Sequence, residues 1–157
     1  MHEDLPGSYG ADAPAYFSTL TPEEQAESTL LSSDQCIVGD KHFFIRGLLT
    51  IPIVDSEETF DWLVWVSLSQ DNFARTSELW ETVGRESQPS YFGWLNSVLP
   101  GYPETLNLKT SVHTRPVGER PWIELEPTDH PLAVEQHQGI SQARAQQLHE
   151  MLLHGHA

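Results

Sequence analysis

Apolar residues recur at every second position along two long stretches of this chain. From His42 to Val54, Phe43, Ile45, Leu49, Ile51 and Ile53 fall on one side, and Phe44, Arg46, Leu48 and Thr50 on the other. That is the period of an extended strand. Gly47 and Pro52 interrupt the run and predict a bend, a bulge or an edge position. From Phe60 to Ser69, Phe60, Trp62, Val64, Val66 and Leu68 alternate with Leu63 and Trp65. Apolar residues on both faces predict a central strand covered on both sides.

Shorter alternations follow. Cys36 to Val38 predicts a brief strand, with a turn at Gly39-Asp40-Lys41. Between Thr105 and His113, Leu106, Leu108 and Val112 oppose Asn107, Lys109, Ser111 and His113. Between Trp122 and Glu126, Ile123 and Leu125 point inward while Trp122, Glu124 and Glu126 point away. Residues 114–121 hold two prolines and a glycine, the composition of a hairpin-like connection.

Helical signals are set between these strands. Thr21-Pro22-Glu23-Glu24 carries a cap, a proline at the first helical position and a capping-box glutamate, and predicts a helix to about Leu31. Asp71-Asn72 predicts the start of a helix over 73–83, closed by Gly84. Tyr91 to Leu95 reads as a short helix or an irregular packed segment. Asp129 or His130 caps a helix that starts at Pro131 and stops at Gly139. Ser141 caps the last helix, with Ala145, Leu148 and Leu152 as its inner stripe.

This order predicts an α+β domain: a mostly antiparallel sheet of about four to five strands, with helices at the N-terminus, inserted mid-chain and at the C-terminus. Residues 1–13 read as a flexible arm and 14–157 as a single domain.

Charge changes the picture more than composition does. Lys and Arg number 8 against 23 Asp and Glu, a formal net charge of −15. Such a surface repels phosphate backbones, so no nucleic-acid partner is expected. It attracts a basic protein partner. Apolar runs are too short to span a bilayer, and the start M-H-E-D-L-P lacks the basic and apolar regions of a signal peptide. Cys36 is the only cysteine, which excludes an internal disulfide and suits a cytoplasmic protein. Its neighbours Ile37 and Val38 make it a small buried hydrophobe.

Recognisable catalytic patterns are missing. His149-Glu150 lacks a second histidine four residues after the first, where Leu153 stands, so no metalloprotease motif forms. No G-x-S-x-G elbow, glycine-rich phosphate loop or G-x-G-x-x-G is present. No metal and no cofactor are expected.

The candidate polar cluster is Arg46, Lys109, His113, Glu124 and Glu126. If three strands lie side by side, these residues share one sheet face, and a strand cation among apolar neighbours needs a carboxylate partner. Arg46 with Glu124 or Glu126 is the expected pair. Asp129 and His130 join the candidates at a helix start, where capping explains the aspartate and proline better than the histidine. Trp94 and Tyr102, in segments rich in Gly and Pro, are the candidate aromatic anchors.

The strings F-F-I-R-G at 43–47, W-V-S-L-S at 65–69, F-G-W-L at 92–95, L-P-G-Y-P-E-T-L at 99–106 and I-E-L-E-P-T-D-H-P-L-A-V-E-Q at 123–136 resemble the bacterial family called domain of unknown function 2199. The resemblance covers roughly residues 14–153 and implies no assigned activity. Many relatives carry an early Cys-x-x-Cys resembling half a zinc site; no such segment precedes Cys36.

The leading expectation is a non-catalytic protein-binding domain, acidic, that neutralises or regulates a basic partner such as a toxin. The alternative is an enzyme or small-ligand binder using the polar cluster. Sequence sets no oligomeric state.

Overall fold

The computed structural model describes residues 8–154. Among these, eight strands and four α-helices run in the order β1 (Ser8–Tyr9), α1 (Pro22–Glu27), β2 (Thr29–Leu31), β3 (Gln35–Val38), β4 (His42–Pro52), β5 (Thr59–Leu68), α2 (Gln70–Glu78), β6 (Tyr91–Leu95), β7 (Lys109–His113), β8 (Trp122–Leu125), α3 (Pro131–Gln138) and α4 (Gln142–His154). The α+β class holds. The sheet is larger than the four to five strands expected, and it closes on itself.

Closure comes from β4, which has two neighbours on one edge. Its first half pairs antiparallel with β3, from Val38↔His42 to Gln35↔Ile45. At Leu48 it instead meets β8 in parallel, opposite Trp122. Its other edge pairs antiparallel with β5 along the whole length. The ring β4-β5-β6-β7-β8 is thus a five-stranded barrel, and β3-β2 flares off it as a side hairpin. Gly47 sits at the fork. The Arg46 N–H still donates to Asp34 on the β3 side, and the Leu48 N–H donates to Pro121 on the β8 side. A β-carbon at Gly47 would lie 2.6 Å from Ile123 Cδ1, so only glycine lets the two strands approach this closely.

The alternation read from the sequence maps directly onto two cores. Ile45, Leu49 and Ile51 join Phe60, Trp62, Val64, Val66 and Leu68 in the barrel interior, with Val112, Ile123 and Leu125 from β7 and β8. Phe73 of α2 packs on Phe43 where β4 begins, ring centroids 5.1 Å apart. At the opposite end Leu132 and Ala133 of α3 and Leu148 and Leu152 of α4 complete this core, and Ile140 bridges to Ile53. The outward residues Phe44 and Trp65 form a second, smaller core with Cys36 and Val38, against which Tyr16 and Leu20 pack.

Several local expectations are corrected. The first helix has its full capping box at Thr21 and Glu24 but stops at Glu27, because Thr29 to Leu31 pair with β3. The mid-chain helix starts at Gln70, capped by the Ser69 side chain rather than by Asp71-Asn72, and stops at Glu78. Tyr91 to Leu95 is a strand, held between β5 and β7. The strand expected from Thr105 starts at Lys109, since Asn107 has a φ of 68° and breaks the extension. Residues 1–7 of the expected arm lie outside the described residues. From Ser8 onward the segment is tied down: β1 pairs parallel with β5, and the Ala11 carbonyl accepts bonds from Arg46 and the Trp65 indole.

Candidate functional site

The barrel's outward residues on β6, β7 and β8 form a partly exposed face, bordered by Arg115 over Trp122 and by His137 of α3 near Glu124. Strand period alone puts Phe92 and Trp94, Lys109, Ser111 and His113, and Trp122 and Glu124 on that side, because Gly93, Leu95, Thr110, Val112, Ile123 and Leu125 are buried inside. Register then sets neighbours: Trp94 beside Lys109 and Phe92 beside Ser111, then Ser111 beside Glu124 and His113 beside Trp122. Phe92 and Trp94 pack edge to face at 4.8 Å. Phe92 is 44 % exposed, Trp94 42 % and Trp122 40 %.

Two polar side chains on this face, His113 and Glu124, bond each other. His113 Nε2 lies 2.8 Å from Glu124 Oε1. The other Glu124 oxygen is 4.0 Å from His137 Nδ1, while His137 Nε2 is 2.6 Å from the Leu125 carbonyl. Glu126 is exposed just beyond β8, and its backbone N–H donates to the Lys109 carbonyl. His113 and Glu124 meet on this face, while Lys109 stands at the other end of β7, beside Trp94.

Arg46 does not join them. The parallel pairing of Leu48 with Trp122 aligns Arg46 with Arg120, two positions back on both strands. Glu124 is aligned with Thr50, about 13 Å further along at strand rise. An antiparallel neighbour in the same register would have set Arg46 opposite Glu124, the pair expected on charge alone. Arg46 instead bonds the Ala11 carbonyl at 2.7 Å and that of Ser33 at 3.4 Å, lies 3.7 Å from Asp12 and covers the Trp65 ring.

His130 is the cap of α3: its Nδ1 accepts from the Leu132 N–H while Nε2 donates to the Glu104 carbonyl. Asp129 is exposed beside it. Tyr102 is not an anchor. It packs on the core against Trp62, and its hydroxyl donates to Glu135 at 2.6 Å. Burial, first, and this carboxylate, second, push its pKa well above the ordinary tyrosine value. Arg144 lies over the same ring and bonds the other Glu135 oxygen at 2.8 Å.

A second locus was not legible in the sequence. Where β4 leaves β3 for β8, the sheet opens into a cavity of about 190 Å³ lined by Asp34, Arg46, Arg85, Arg115, Arg120 and Glu119, with Trp80, Glu81 and Tyr91 among its other walls. Arg85 is buried and donates to four backbone carbonyls, of Trp80, Arg115, Pro116 and Glu119. Arg115 bonds the Arg120 carbonyl and Glu119, and stacks on Trp122 with its guanidinium carbon 3.8 Å from the ring centre. Arg120 pairs with Asp34 at 2.8 Å. Arg46 and Arg85 are distant from Arg115 and Arg120 in sequence, and only the fork brings them together.

Among the described residues no group of three His, Cys, Asp or Glu side chains could hold a metal ion, and no helix is long and apolar enough to cross a membrane. Residues 1–140 match the family model described as "Uncharacterized protein conserved in bacteria (DUF2199)", and the chain belongs to that family. No curated protein and no solved structure matches.

Proposed function

We propose that this member of an uncharacterised bacterial family is a non-catalytic protein-binding domain, and that its partner is a basic protein met by the open face of β6, β7 and β8. The carrying observation is the pair Phe92 and Trp94, packed edge to face and each more than two-fifths exposed on the sheet, with Trp122 partly exposed on the same face under Arg115. Large exposed aromatics grouped on a rigid sheet have the composition of interface anchors.

Charge supports the nature of the partner. Half of the eight basic residues line the fork cavity, along with three acidic ones. The rest of the chain therefore carries four basic against twenty acidic side chains. Such a surface speeds encounter with a basic protein and repels acidic competitors. A neutralising or regulatory role toward a basic partner such as a toxin is the biological form this reading takes. The alternative, an enzyme or ligand binder at the polar cluster, needs Arg46 to converge with His113, Glu124 and Glu126, and Arg46 points elsewhere.

The experiment is affinity purification of the tagged chain from its native host, at low and high salt, beside a Phe92→Ser/Trp94→Ser variant. The expected result is a stoichiometric basic protein that binds more weakly at high salt and is lost from the variant. Equal recovery by both forms, or no partner at any salt, overturns the reading.

A further inference from the structure

We infer that the cavity at the sheet fork is a binding site for a small oxyanion, a molecule carrying a phosphate or carboxylate group, separate from the open aromatic face.

The first argument is charge placement. Four of the chain's eight basic side chains meet at one cavity on a protein of net charge −15. Two of the four, Arg115 and Arg120, are paired with carboxylates, Glu119 and Asp34. Here the two most buried guanidinium groups, Arg46 and Arg85, are held mainly by carbonyls. Carbonyls satisfy hydrogen-bond geometry but cancel no charge, so four guanidinium groups against Asp34, Glu81 and Glu119 leave the cavity net positive. Among the described residues, the carboxylate within 4 Å of the Arg46 guanidinium is Asp12, fully solvent-exposed and 3.7 Å away.

The second argument is an orphaned donor. Arg46 is 8 % exposed, yet its Nε finds no acceptor among the described residues. A buried charged N–H without an acceptor is costly, and such groups are uncommon in folded proteins. Burial, first, and the nearby Arg120 charge, second, hold the Arg46 pKa below its ordinary value. An anion in the cavity offsets the repulsion between Arg46 and Arg120.

The third argument is donor supply and size. Arg120 uses Nε on Asp34, leaving its terminal nitrogens for a ligand. Arg115 uses Nε on a carbonyl and one terminal nitrogen on Glu119. Arg85 spends four of its five N–H groups on carbonyls and contributes chiefly field. Planar guanidinium forks fit the paired oxygens of carboxylate and phosphate. The volume of about 190 Å³ is below the roughly 300 Å³ at which pockets for drug-sized ligands begin, so the ligand is small. Trp80 and Tyr91 supply aromatic walls for its apolar atoms.

The test is isothermal titration calorimetry of the whole chain with inorganic phosphate and, separately, succinate, at constant ionic strength maintained with chloride. Saturable binding of at least one probe, below roughly 10 mM, is expected, and the preferred probe separates the phosphate and carboxylate forms. Arg120→Gln changes a half-exposed side chain, so it should keep the fold by circular dichroism and weaken binding about tenfold or more. Arg46→Gln is the stronger perturbation but risks unfolding, which is why Arg120→Gln carries the test. Arg144→Gln, a cation outside the cavity, should bind as the parent does. Absence of saturable binding by both probes, parent-like binding by Arg120→Gln, or an equal loss in Arg144→Gln overturns the site. The Phe92→Ser/Trp94→Ser variant should bind the probe normally, so the two sites fail independently.

Discussion

Gly47→Ala tests the seam that closes the barrel. The new β-carbon would lie 2.6 Å from both Cδ1 and Cγ1 of Ile123 and 3.0 Å from the Pro121 carbonyl oxygen. Carbon pairs settle at about 3.5–4.0 Å, so something must move by about an ångström. Ile123 cannot easily retreat, since it is 1 % exposed within the barrel core, and the carbonyl is the one that accepts from Leu48 across the seam. Gly47 does not have a positive φ, so the penalty is steric rather than conformational. Overpacking of this kind costs about 1–3 kcal/mol. In urea, followed by the emission of buried Trp62 and Trp65, the midpoint should fall with the slope unchanged. Ile123→Val removes one of the two clashing carbons and alone costs about 0.5–1.5 kcal/mol. Combined with Gly47→Ala it should cost less than the two single losses together, by more than the roughly 0.3–0.5 kcal/mol scatter of independent sites. Strict additivity, or a Gly47→Ala protein as stable as the parent, would refute the parallel β4–β8 contact on which the cavity also depends.

Four further outcomes follow from the same geometry. Cys36 is fully buried and its pKa is pushed up to about 11 by burial, so a thiol reagent should label it only after denaturation; rapid native labelling would contradict the packing of the small core. The pKa values of Tyr9, Tyr91 and Tyr102 are raised, chiefly by burial. For an acid whose folded pKa is raised, the unfolded state loses its proton first, so stability should decline as pH rises through the ordinary tyrosine value of 10.0. Tyr102→Phe should flatten that alkaline decline while costing about 1 kcal/mol at neutral pH from the lost Glu135 bond; an unchanged alkaline profile in thermal melts argues against it. His130→Ala should cost about 1 kcal/mol by removing the α3 cap, and His130→Asn should restore most of it, as read by urea midpoints. Phe92→Ser/Trp94→Ser should change stability by about 1 kcal/mol or less, in contrast to its loss of partner capture; a collapse of the fold would mean the face is structural.

Sequence alone determined what short-range physics controls. Period-two apolar spacing identified both long strands and assigned Phe43 through Ile53 and Phe60 through Leu68 to their faces, because side-chain direction alternates in any extended chain. Capping chemistry at Thr21 and Ser141 was legible because it is completed within a few residues, whereas the α3 cap, left open between Asp129 and His130, falls to His130. Tertiary structure decided the rest. Tyr91 to Leu95 became a strand because β5 and β7 were waiting on either side. The first helix ends short of Leu31 for the same reason, since β3 draws Thr29 to Leu31 into the sheet.

β4 to β8 run as an antiparallel meander, so closing a ring of five strands sets β8 parallel to β4, and no local pattern encodes that closure. That one choice separated Arg46 from Glu124 and placed it beside Arg120. Hydrophobic spacing reports which way a side chain points on its own strand. Which side chains it meets depends on strand order, direction and closure, and those are settled by burying the whole apolar surface at once.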